Sequence, residues 1–580
     1  LSVTGGTLNT GSFDASNKIW TATYTADDGI TGTGSVALAD DSYTDAVLNM
    51  GTGGSDTLNI DTENPTVTSI ERADADYTNA EFVDFTLTFS ENVTEVDTSD
   101  FSLSSGTTVG GASIDSVSGS GSVYTISVRT GEIDSGLIGL AFGQPSIQDS
   151  FGNALDLTNG ISSGVNESYT IASTEVLLTG GDVSVADIRD ATVDDLTLSV
   201  VGGNLVISSS SDAIAVGVGV TRINVSSVSV ALADITGSNG VSVSTGGLDD
   251  IVTVEGVGRR LYIDGGSGND TVQFQANAIT TNGGDLLVNA DFVSQDANAS
   301  IDADAVSLTA SGGDLELNAA LSASSDLLLD ASGEVSQTLQ GVVFVAGDTT
   351  VSANAITLSN TSNDFGGAVS IDADGAVEVV NSNDLTLGET AAGSLAATAS
   401  GDITGSTDIS IVGAVDLDAT GDISLQGSVS SSSLAATASG SINGPGLVTS
   451  NTVDLNASSG IGNTNRVELS SGNITADTAS GNIEIANNLD TAVSVSSLTT
   501  GLGSVSFSQS GGGDLFTESV IASSGVVLSN SDGFLSLAGT VDGSSLDATA
   551  SGSITDGSDG GLTIEGLAKF TASSVELGNN

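Results

Sequence analysis

The stretch Ser394-Leu-Ala-Ala-Thr-Ala-Ser-Gly-Asp-Ile-Thr404 decides the fold, because close copies of it return later in the chain. These copies are Ser433-Leu-Ala-Ala-Thr-Ala-Ser-Gly-Ser-Ile-Asn443 and Ser545-Leu-Asp-Ala-Thr-Ala-Ser-Gly-Ser-Ile-Thr555, and looser copies begin near residue 306. The glycine of the phrase returns once per repeat, at Gly401, Gly421, Gly440, Gly460 and Gly481. A nearly fixed period of this length is typical of a solenoid, in which each repeat buries its apolar face by stacking on the next.

Within each repeat, apolar residues alternate with polar ones, as Ile409 and Ile411 do. Alternation with period 2 predicts half-buried strands, and no helical stripe persists along the chain. The sequence therefore predicts a parallel β-helix, a β-solenoid with about 20 residues per coil, and the usual hand of parallel crossovers predicts that it is right-handed. In such a solenoid, Ile403, Ile423 and Ile442 should lie directly over one another. A hydrophobic content of 38% with regular spacing argues against a disordered linker.

The composition excludes several classes of function. Lys and Arg number 9 and Asp and Glu number 73, which gives a net charge of −64. A nucleic-acid partner would need a basic face, and no apolar run is long enough for insertion into a membrane. The absence of Cys and His removes disulfides, structural zinc, thiol nucleophiles and Ser-His-Asp chemistry. Divalent cations and a salty exterior would suit this charge.

The N-terminal part of the chain, up to Ala172, differs from the repeats, since it contains most of the aromatic side chains. Alternating runs such as Phe82-Val-Asp-Phe-Thr-Leu-Thr-Phe89, with turn signals every 8–12 residues or so, predict a β-sandwich. Four phrases stand out here: Asn64-Pro-Thr-Val-Thr-Ser-Ile70, Phe89-Ser-Glu-Asn-Val93, Asp97-Thr-Ser-Asp-Phe101 and Ile147-Gln-Asp-Ser-Phe-Gly-Asn153. Together they resemble bacterial immunoglobulin-like (Ig-like) modules, which occur in tandem in large secreted adhesins.

The resemblance implies a complete module at 62–172 and, through Trp20-Thr-Ala-Thr-Tyr24, the second half of a preceding module at 1–61. It also implies junction calcium ligands, for which Asp61, Asp149 and Asn153 are the candidates. Oxygen ligands at such a hinge would stiffen a string of modules. The alternative is that these residues only form turns.

The sharpest local motif is Gly265-Gly-Ser-Gly-Asn-Asp-Thr-Val-Gln273, which fits the calcium-binding nonapeptide G-G-x-G-x-D-x-U-x of RTX-like repeats. A degraded copy, Gly246-Gly-Leu-Asp-Asp-Ile-Val-Thr-Val254, precedes it. Asp250 and Asp270 are separated by one coil, so stacking would let both face one ion. The candidate ligands are Asp249, Asp250, Asp264, Gly266, Gly268 and Asp270. The alternative is an ordinary Gly/Asp corner of a coil.

We therefore predict an all-β chain with Ig-like modules at 1–61 and 62–172, irregular first coils containing the RTX-like motif at 173–280, and a regular β-helix at 281–580. The repeat region resembles filamentous-haemagglutinin-type adhesins and other giant bacterial surface proteins. This resemblance supports the architecture more than any defined activity. We expect a non-catalytic, calcium-stabilised part of an extracellular fibre, surface layer or adhesin stalk on the bacterial surface.

The expected partners are calcium, neighbouring modules of a longer chain, further copies in a filament or lattice, and a host or cell-surface glycan or protein. Two alternatives stay open. Many parallel β-helices act on polysaccharides with paired carboxylates, but carboxylates are too common here for spacing to identify a pair. A binding module that recognises a glycan or protein is the other alternative.

Overall fold

The computed structural model describes residues 1–131, 135–158, 167–189, 193–210, 212–275, 277, 279–557 and 561–578. They form two compact units, Leu1–Glu175 with Asp212–Ala215 and Val176–Ser211 with Val216–Asn580. Nearly all regular structure is β, and the 3-10 turns Thr98–Asp100 and Leu232–Asp234 are the only helical segments in those ranges. None of the described helices is long and apolar enough to cross a membrane.

The predicted sandwich is present in the first unit as two four-stranded sheets. One sheet contains Val67–Arg72, Phe82–Thr94, Ser113–Arg129 and Gln148–Asp149, and the other contains Tyr77–Thr78, Phe101–Leu103, Gly136–Phe142 and Ser168–Ile171. Alternate residues of Phe82–Thr94 face a shared core. The rings of Phe85 and Tyr169, both fully buried, meet edge to face there with centroids 5.2 Å apart, a favourable aromatic geometry.

The N-terminal part of this unit has its own small sheets. A three-stranded antiparallel sheet orders Ser2–Thr4, Thr31–Leu38 and Gly54–Asp61, and the two-stranded pairs are Gly6–Leu8 with Tyr24–Ala26 and Ser12–Asp14 with Ile19–Thr21. The register pairs Thr31 with Asp61. Asp61 therefore ends the last strand before the sandwich begins.

The second unit is a β-solenoid of about 16 turns with about 21 residues per turn, which confirms the predicted fold class. With rungs about 4.8 Å apart, the solenoid is about 75 Å long. The register pairs Ile403 with Ile423 and Ile423 with Ile442, and all three side chains are fully buried. The aliphatic residues thus form the continuous internal column that the period of the sequence predicts.

From residue 174 onward the strands are Thr174–Thr179, Asp182–Asp187, Asp195–Val201, Asn204–Ser209, Ile214–Val216, Thr221–Asn224, Ser227–Ala231, Val241–Ser244, Ile251–Val254, Leu261–Asp264, Thr271–Phe274, Ile279–Thr280, Leu286–Ala290, Phe292–Gln295, Ile301–Ala303, Val306–Ala310, Leu315–Leu317, Leu321–Ala323, Leu327–Ala331, Glu334–Gln337, Val343–Val345, Thr349–Ala353, Ala355–Leu358, Asp364–Phe365, Ala368–Ala373, Ala376–Asn381, Leu385–Ala392, Ser394–Ala399, Ile403–Gly405, Ile409–Ile411, Ala414–Ala419, Ile423–Leu425, Val429–Ala438, Ile442–Asn443, Leu447–Ala457, Val467–Ser470, Asn473–Thr478, Ile483–Asn488, Val493–Thr500, Val505–Ser510, Leu515–Ala522, Gly525–Asn530, Leu535–Gly543, Ser545–Ala550, Ser553–Asp556, Gly561–Ile564, Ala568–Thr571 and Ser574–Glu576.

One segment of the first coils departs from parallel stacking. Strand Asp195–Val201 pairs in parallel with Ile251–Val254 but antiparallel with Asn204–Ser209, which in turn pairs antiparallel with Ser227–Ala231. The reversal occurs at Gly202 and Gly203, whose φ values of 58° and 83° suit a two-residue hairpin turn. The strand Asn204–Ser209 is therefore part of a hairpin insertion rather than of a simple coil.

A hydrogen bond between coils explains why glycine marks the repeated phrase. The N–H of Asp422 donates to Oδ1 of Asp402, one coil earlier, at 2.7 Å. The same carboxylate oxygen would lie 2.0 Å from a Cβ atom on Gly421. Asp384 and Asp422 make the equivalent bonds at the preceding and following corners. Each aspartate thus holds the next corner in place, and the residue beneath the carboxylate has no room for a side chain.

Candidate functional site

Three carboxylates meet in the first unit, where the N-terminal part joins the sandwich. One oxygen from each of Asp61, Glu91 and Asp149 lies within 4.8 Å of the others. Asp61 ends its strand, Glu91 lies near the end of strand Phe82–Thr94, and Asp149 lies on the short strand that pairs with Val93. The Ig-like resemblance implies that Asp61 and Asp149 are junction ligands, and the fold places their carboxylates together.

Glu91 was not among the predicted ligands, although the sequence contains a signal for it. Val83, Phe85, Leu87 and Phe89 alternate as buried residues along the strand, and Val93 is buried after them. Glu91 occupies the position in this series where an apolar side chain is expected. A carboxylate in an inward-facing column is uncommon unless it has a partner.

The surroundings of the cluster shift the pKa values of Glu91 and Asp149 in opposite directions. Burial, followed by the charges of Asp61, Asp149 and Glu63, raises the pKa of Glu91. Burial also acts to raise the pKa of Asp149, but hydrogen bonds from Asn153, Phe151 and Gly152 outweigh it and lower this pKa. A divalent cation would relieve the repulsion, and an all-oxygen set favours calcium or magnesium over softer metals.

Asn153 lies at the same place but acts as a hydrogen-bond donor. Its Nδ2 donates to Oδ2 of Asp149 at 2.7 Å and to the Asp61 carbonyl at 3.0 Å. Its backbone N–H donates to Oδ1 of Asp149 at 2.9 Å. In this arrangement Asn153 positions the two aspartates, and its amide nitrogen, not its oxygen, faces them.

A second acidic site lies in the solenoid, where the two nonapeptide-like segments stack one rung apart. Ile251 pairs with Thr271, and Gly247 forms a parallel bridge with Ser267. Asp250 and Asp270 therefore occupy equivalent corners of neighbouring rungs, as their spacing predicts. Only 1% and 2% of their surfaces are exposed.

The two carboxylates belong to a row of aspartates on successive rungs, in which the backbone N–H of one aspartate donates to the carboxylate of the next. The N–H of Asp194 donates to Oδ1 of Asp250 at 2.7 Å, and the N–H of Asp250 donates to Oδ1 of Asp270 at 3.0 Å. The N–H of Asp270 donates to Asp291 at 3.1 Å. Among the residues that the structure describes, no hydrogen-bond donor reaches Oδ2 of Asp250 or of Asp270.

This burial changes the acidity of both groups. Burial, with a contribution from the charge of Asp270, raises the pKa of Asp250 to about 6, although the N–H of Asp194 and the hydroxyl of Thr245 act in the opposite direction. Burial also raises the pKa of Asp270, with the charges of Asp291, Asp249 and Asp264 adding to the effect. Two buried oxygens without donors on adjacent rungs fit a hard cation, which would supply the missing positive charge.

The glycines of the motif shape the corner itself. Gly266 has φ 88° and Gly268 has φ 147°, and a Cβ atom on them would lie 2.0 Å from the Gly246 carbonyl oxygen and 1.7 Å from that of Leu248. Neither position can accept a side chain without moving the preceding rung. In the degraded copy, Leu248 takes the left-handed conformation with φ 75°, which is unfavourable for leucine.

The remaining candidates lie outside the buried pair. Asp249 is exposed, and its Oδ1 accepts the backbone N–H of Asn269 at 2.9 Å. Asp264 lies beside Tyr262 on the outer face, where its Oδ1 accepts Nδ2 of Asn289 at 3.2 Å and its Oδ2 accepts the Tyr262 hydroxyl at 3.3 Å. The negative charges of Asp249 and Asp264 therefore act on Asp270 of the buried pair, but their carboxylates already accept hydrogen bonds.

Comparison with known families agrees with this architecture in two regions. A family model described as "Repeats of unknown function (DUF5649)" matches residues 303–372, 374–431 and 523–580, and a model described as "Bacterial Ig-like domain" matches residues 1–62. Neither the curated proteins nor the solved structures gave a significant match. An Ig-like domain followed by a β-solenoid of repeats fits a bacterial surface protein, and these parts together suggest a structural or adhesive repeat protein.

Proposed function

We propose that this chain is a non-catalytic, extracellular part of a bacterial surface fibre or adhesin stalk, in which the solenoid supplies length and calcium stabilises two acidic sites. The observation that carries this proposal is the ladder of parallel stacked coils from strand Val241–Ser244 onward. Each coil contributes backbone hydrogen bonds and a buried aliphatic layer to its neighbour, so length grows with repeat number without a new core.

The charge supports a location outside the cell. A net charge of −64 gives strong self-repulsion, which salt screens and divalent cations neutralise. Extracellular calcium modules bind with dissociation constants of about 10⁻⁴–10⁻³ M. We expect both the Asp61–Glu91–Asp149 cluster and the Asp250–Asp270 pair to bind calcium in that range.

Single-molecule pulling of the full chain, in calcium and then in chelator, tests the mechanical role. A coil of about 21 residues extends to about 70 Å when it unravels, so the solenoid should lengthen in repeated small steps. Calcium should raise the force needed to open the first unit. Glu91→Gln should remove that increase, whereas Glu71→Gln, an exposed glutamate of the same unit, should retain it.

Labelling of intact cells with an antibody against the solenoid tests the location. Surface labelling that protease treatment of intact cells abolishes is the expected result. Cleavage of a polysaccharide by the purified chain, or one large unfolding step in place of the small ones, would contradict the proposal.

A further inference from the structure

An open groove of about 470 Å³ runs along one face of the solenoid, across four rungs. Its floor is one outward column of the sheet, in which Leu287, Ser307, Leu328 and Thr350 follow one another in parallel register. Tyr262 precedes Leu287 in the same column. Leu328 is 37% and Tyr262 39% exposed. With rungs about 4.8 Å apart, the column of five residues is about 19 Å long.

Carboxylates form one rim of this groove. Asp285, Asp326 and Asp348 stand at the corners that precede the floor strands. Asp285 pairs with Arg260 at 3.1 Å. In the described part of the chain, no lysine or arginine pairs with Asp326 or Asp348, which lie on adjacent rungs.

The carboxylates of Asp326 and Asp348 each accept one backbone hydrogen bond through a single oxygen. Oδ1 of Asp326 accepts the N–H of Asp348 at 3.0 Å, and Oδ1 of Asp348 accepts the N–H of Ala368 at 2.9 Å. Their positions are therefore fixed by the backbone of the next coil. A rigid pair of like charges on neighbouring rungs, whose backbones are about 4.8 Å apart, favours a cationic group between them.

The floor indicates what kind of cation would fit. Apolar side chains alternate with hydroxyls at the rung spacing, and an aromatic ring stands at one end. Sugar rings offer apolar faces and hydroxyl edges in a similar alternation, and aromatic rings can pack against such faces. The strands of this face are already paired on both sides, so an extended peptide finds no free strand edge to join.

We propose that this groove binds a linear polysaccharide that carries amino groups, with ammonium groups near Asp326 and Asp348 and sugar rings over Leu287, Leu328 and Tyr262. This goes beyond the structural role, since it assigns the solenoid flank a ligand of its own. Acidic polysaccharides would be repelled by the same rim. The groove uses none of the residues of the two calcium sites.

Calorimetry on the full chain at moderate salt, with a β-1,4-linked glucosamine hexamer as the probe, tests this assignment. We expect one saturable site. An N-acetylglucosamine hexamer, which lacks the charge, and hexalysine, which lacks the sugar, should each bind at least tenfold more weakly. The same result in calcium and in chelator would separate this site from the structural proposal.

Variants locate the binding. The double variant Asp326→Asn and Asp348→Asn should weaken hexamer binding at least tenfold, because the amide oxygens can still accept the corner N–H groups while the charges are gone. Leu328→Ser, a change at a partly exposed side chain, should weaken binding about threefold or more. The matched control is Asp416→Asn with Asp418→Asn, two exposed aspartates on strand Ala414–Ala419.

Each result decides the proposal. Loss of binding in the groove variants with retention in the control supports it, provided that thermal unfolding is unchanged. If the charge variant unfolds early, Leu328→Ser alone decides. Equal loss in the control, equal binding of hexalysine, or no saturable hexamer binding would overturn it.

Discussion

Replacing Asp250 by asparagine should stabilise the calcium-free solenoid at neutral pH, although it changes a buried residue. Burial raises the pKa of Asp250 from 3.8 to about 6. At about 1.36 kcal/mol per pKa unit, the ionised carboxylate costs the folded coil about 3 kcal/mol. Asparagine keeps the N–H donor to Asp270 and an oxygen acceptor for Asp194, so the variant removes the charge and retains both of these hydrogen bonds.

The pH dependence gives this prediction its sign. A carboxyl group whose pKa is higher in the folded than in the unfolded state destabilises the folded state when it is ionised. Its cost is absent below about pH 4 and complete above about pH 6. The variant should therefore exceed the parent in local stability by about 3 kcal/mol near pH 7.5 and by almost nothing near pH 4.

Hydrogen exchange measured on peptides from residues 241–274 reports the local opening free energy and is suited to a multi-unit chain. In chelator the Asp250→Asn variant should exchange more slowly than the parent. Calcium should slow the parent and leave the variant unchanged. Asp416→Asn, the same change of charge at an exposed aspartate on strand Ala414–Ala419, should keep the parent's response. A variant that opens faster in chelator at pH 7.5, or that still responds to calcium, would refute the reasoning.

Two further changes test how the coils are held. Gly421→Ala places a methyl group 2.0 Å from Oδ1 of Asp402 and should lower local stability by about 1–3 kcal/mol through overpacking. The control is Gly561→Ala, which should be tolerated because no atom lies within 4 Å of the added group. Equal effects of the two changes in hydrogen exchange would contradict the account of the corner. Ile423→Ala removes a fully buried member of the internal column and should lower the local opening free energy, measured by hydrogen exchange, by about 3 kcal/mol. The control is Val412→Ala, at a side chain that is 85% exposed, and a comparable loss there would show that the column is not what stabilises the coil.

Most of the solenoid fold could be predicted from the period of the repeats. Because every coil must present its aliphatic residues at the same rung position, a regular spacing of one coil directly gives the stacking of Ile403 on Ile423 and of Asp250 on Asp270. The hairpin insertion was less accessible, since alternating Leu and Ile residues look the same in parallel and antiparallel strands. Only the Gly202–Gly203 pair distinguishes the two.

The candidate sites were predictable in part for the same reason. Spacing identifies residues one rung apart, but it does not say which side of a strand faces the site. Asp264 follows Tyr262 on the outer face, although the motif had suggested a ligand. Glu91 interrupts the buried apolar series of its strand, which is a signal in the sequence, but only the structure shows that its carboxylate meets those of Asp61 and Asp149.

The corner aspartates give the regular solenoid a direction. Asp402 accepts the N–H of Asp422, a residue that follows it by one coil, so the acceptor is synthesised before its donor. A chain that emerges from its N-terminal side would meet a prepared docking point at each such corner and could fold one layer at a time. Folding of the regular solenoid would then follow the order of the chain, with each finished layer serving as the template for the next.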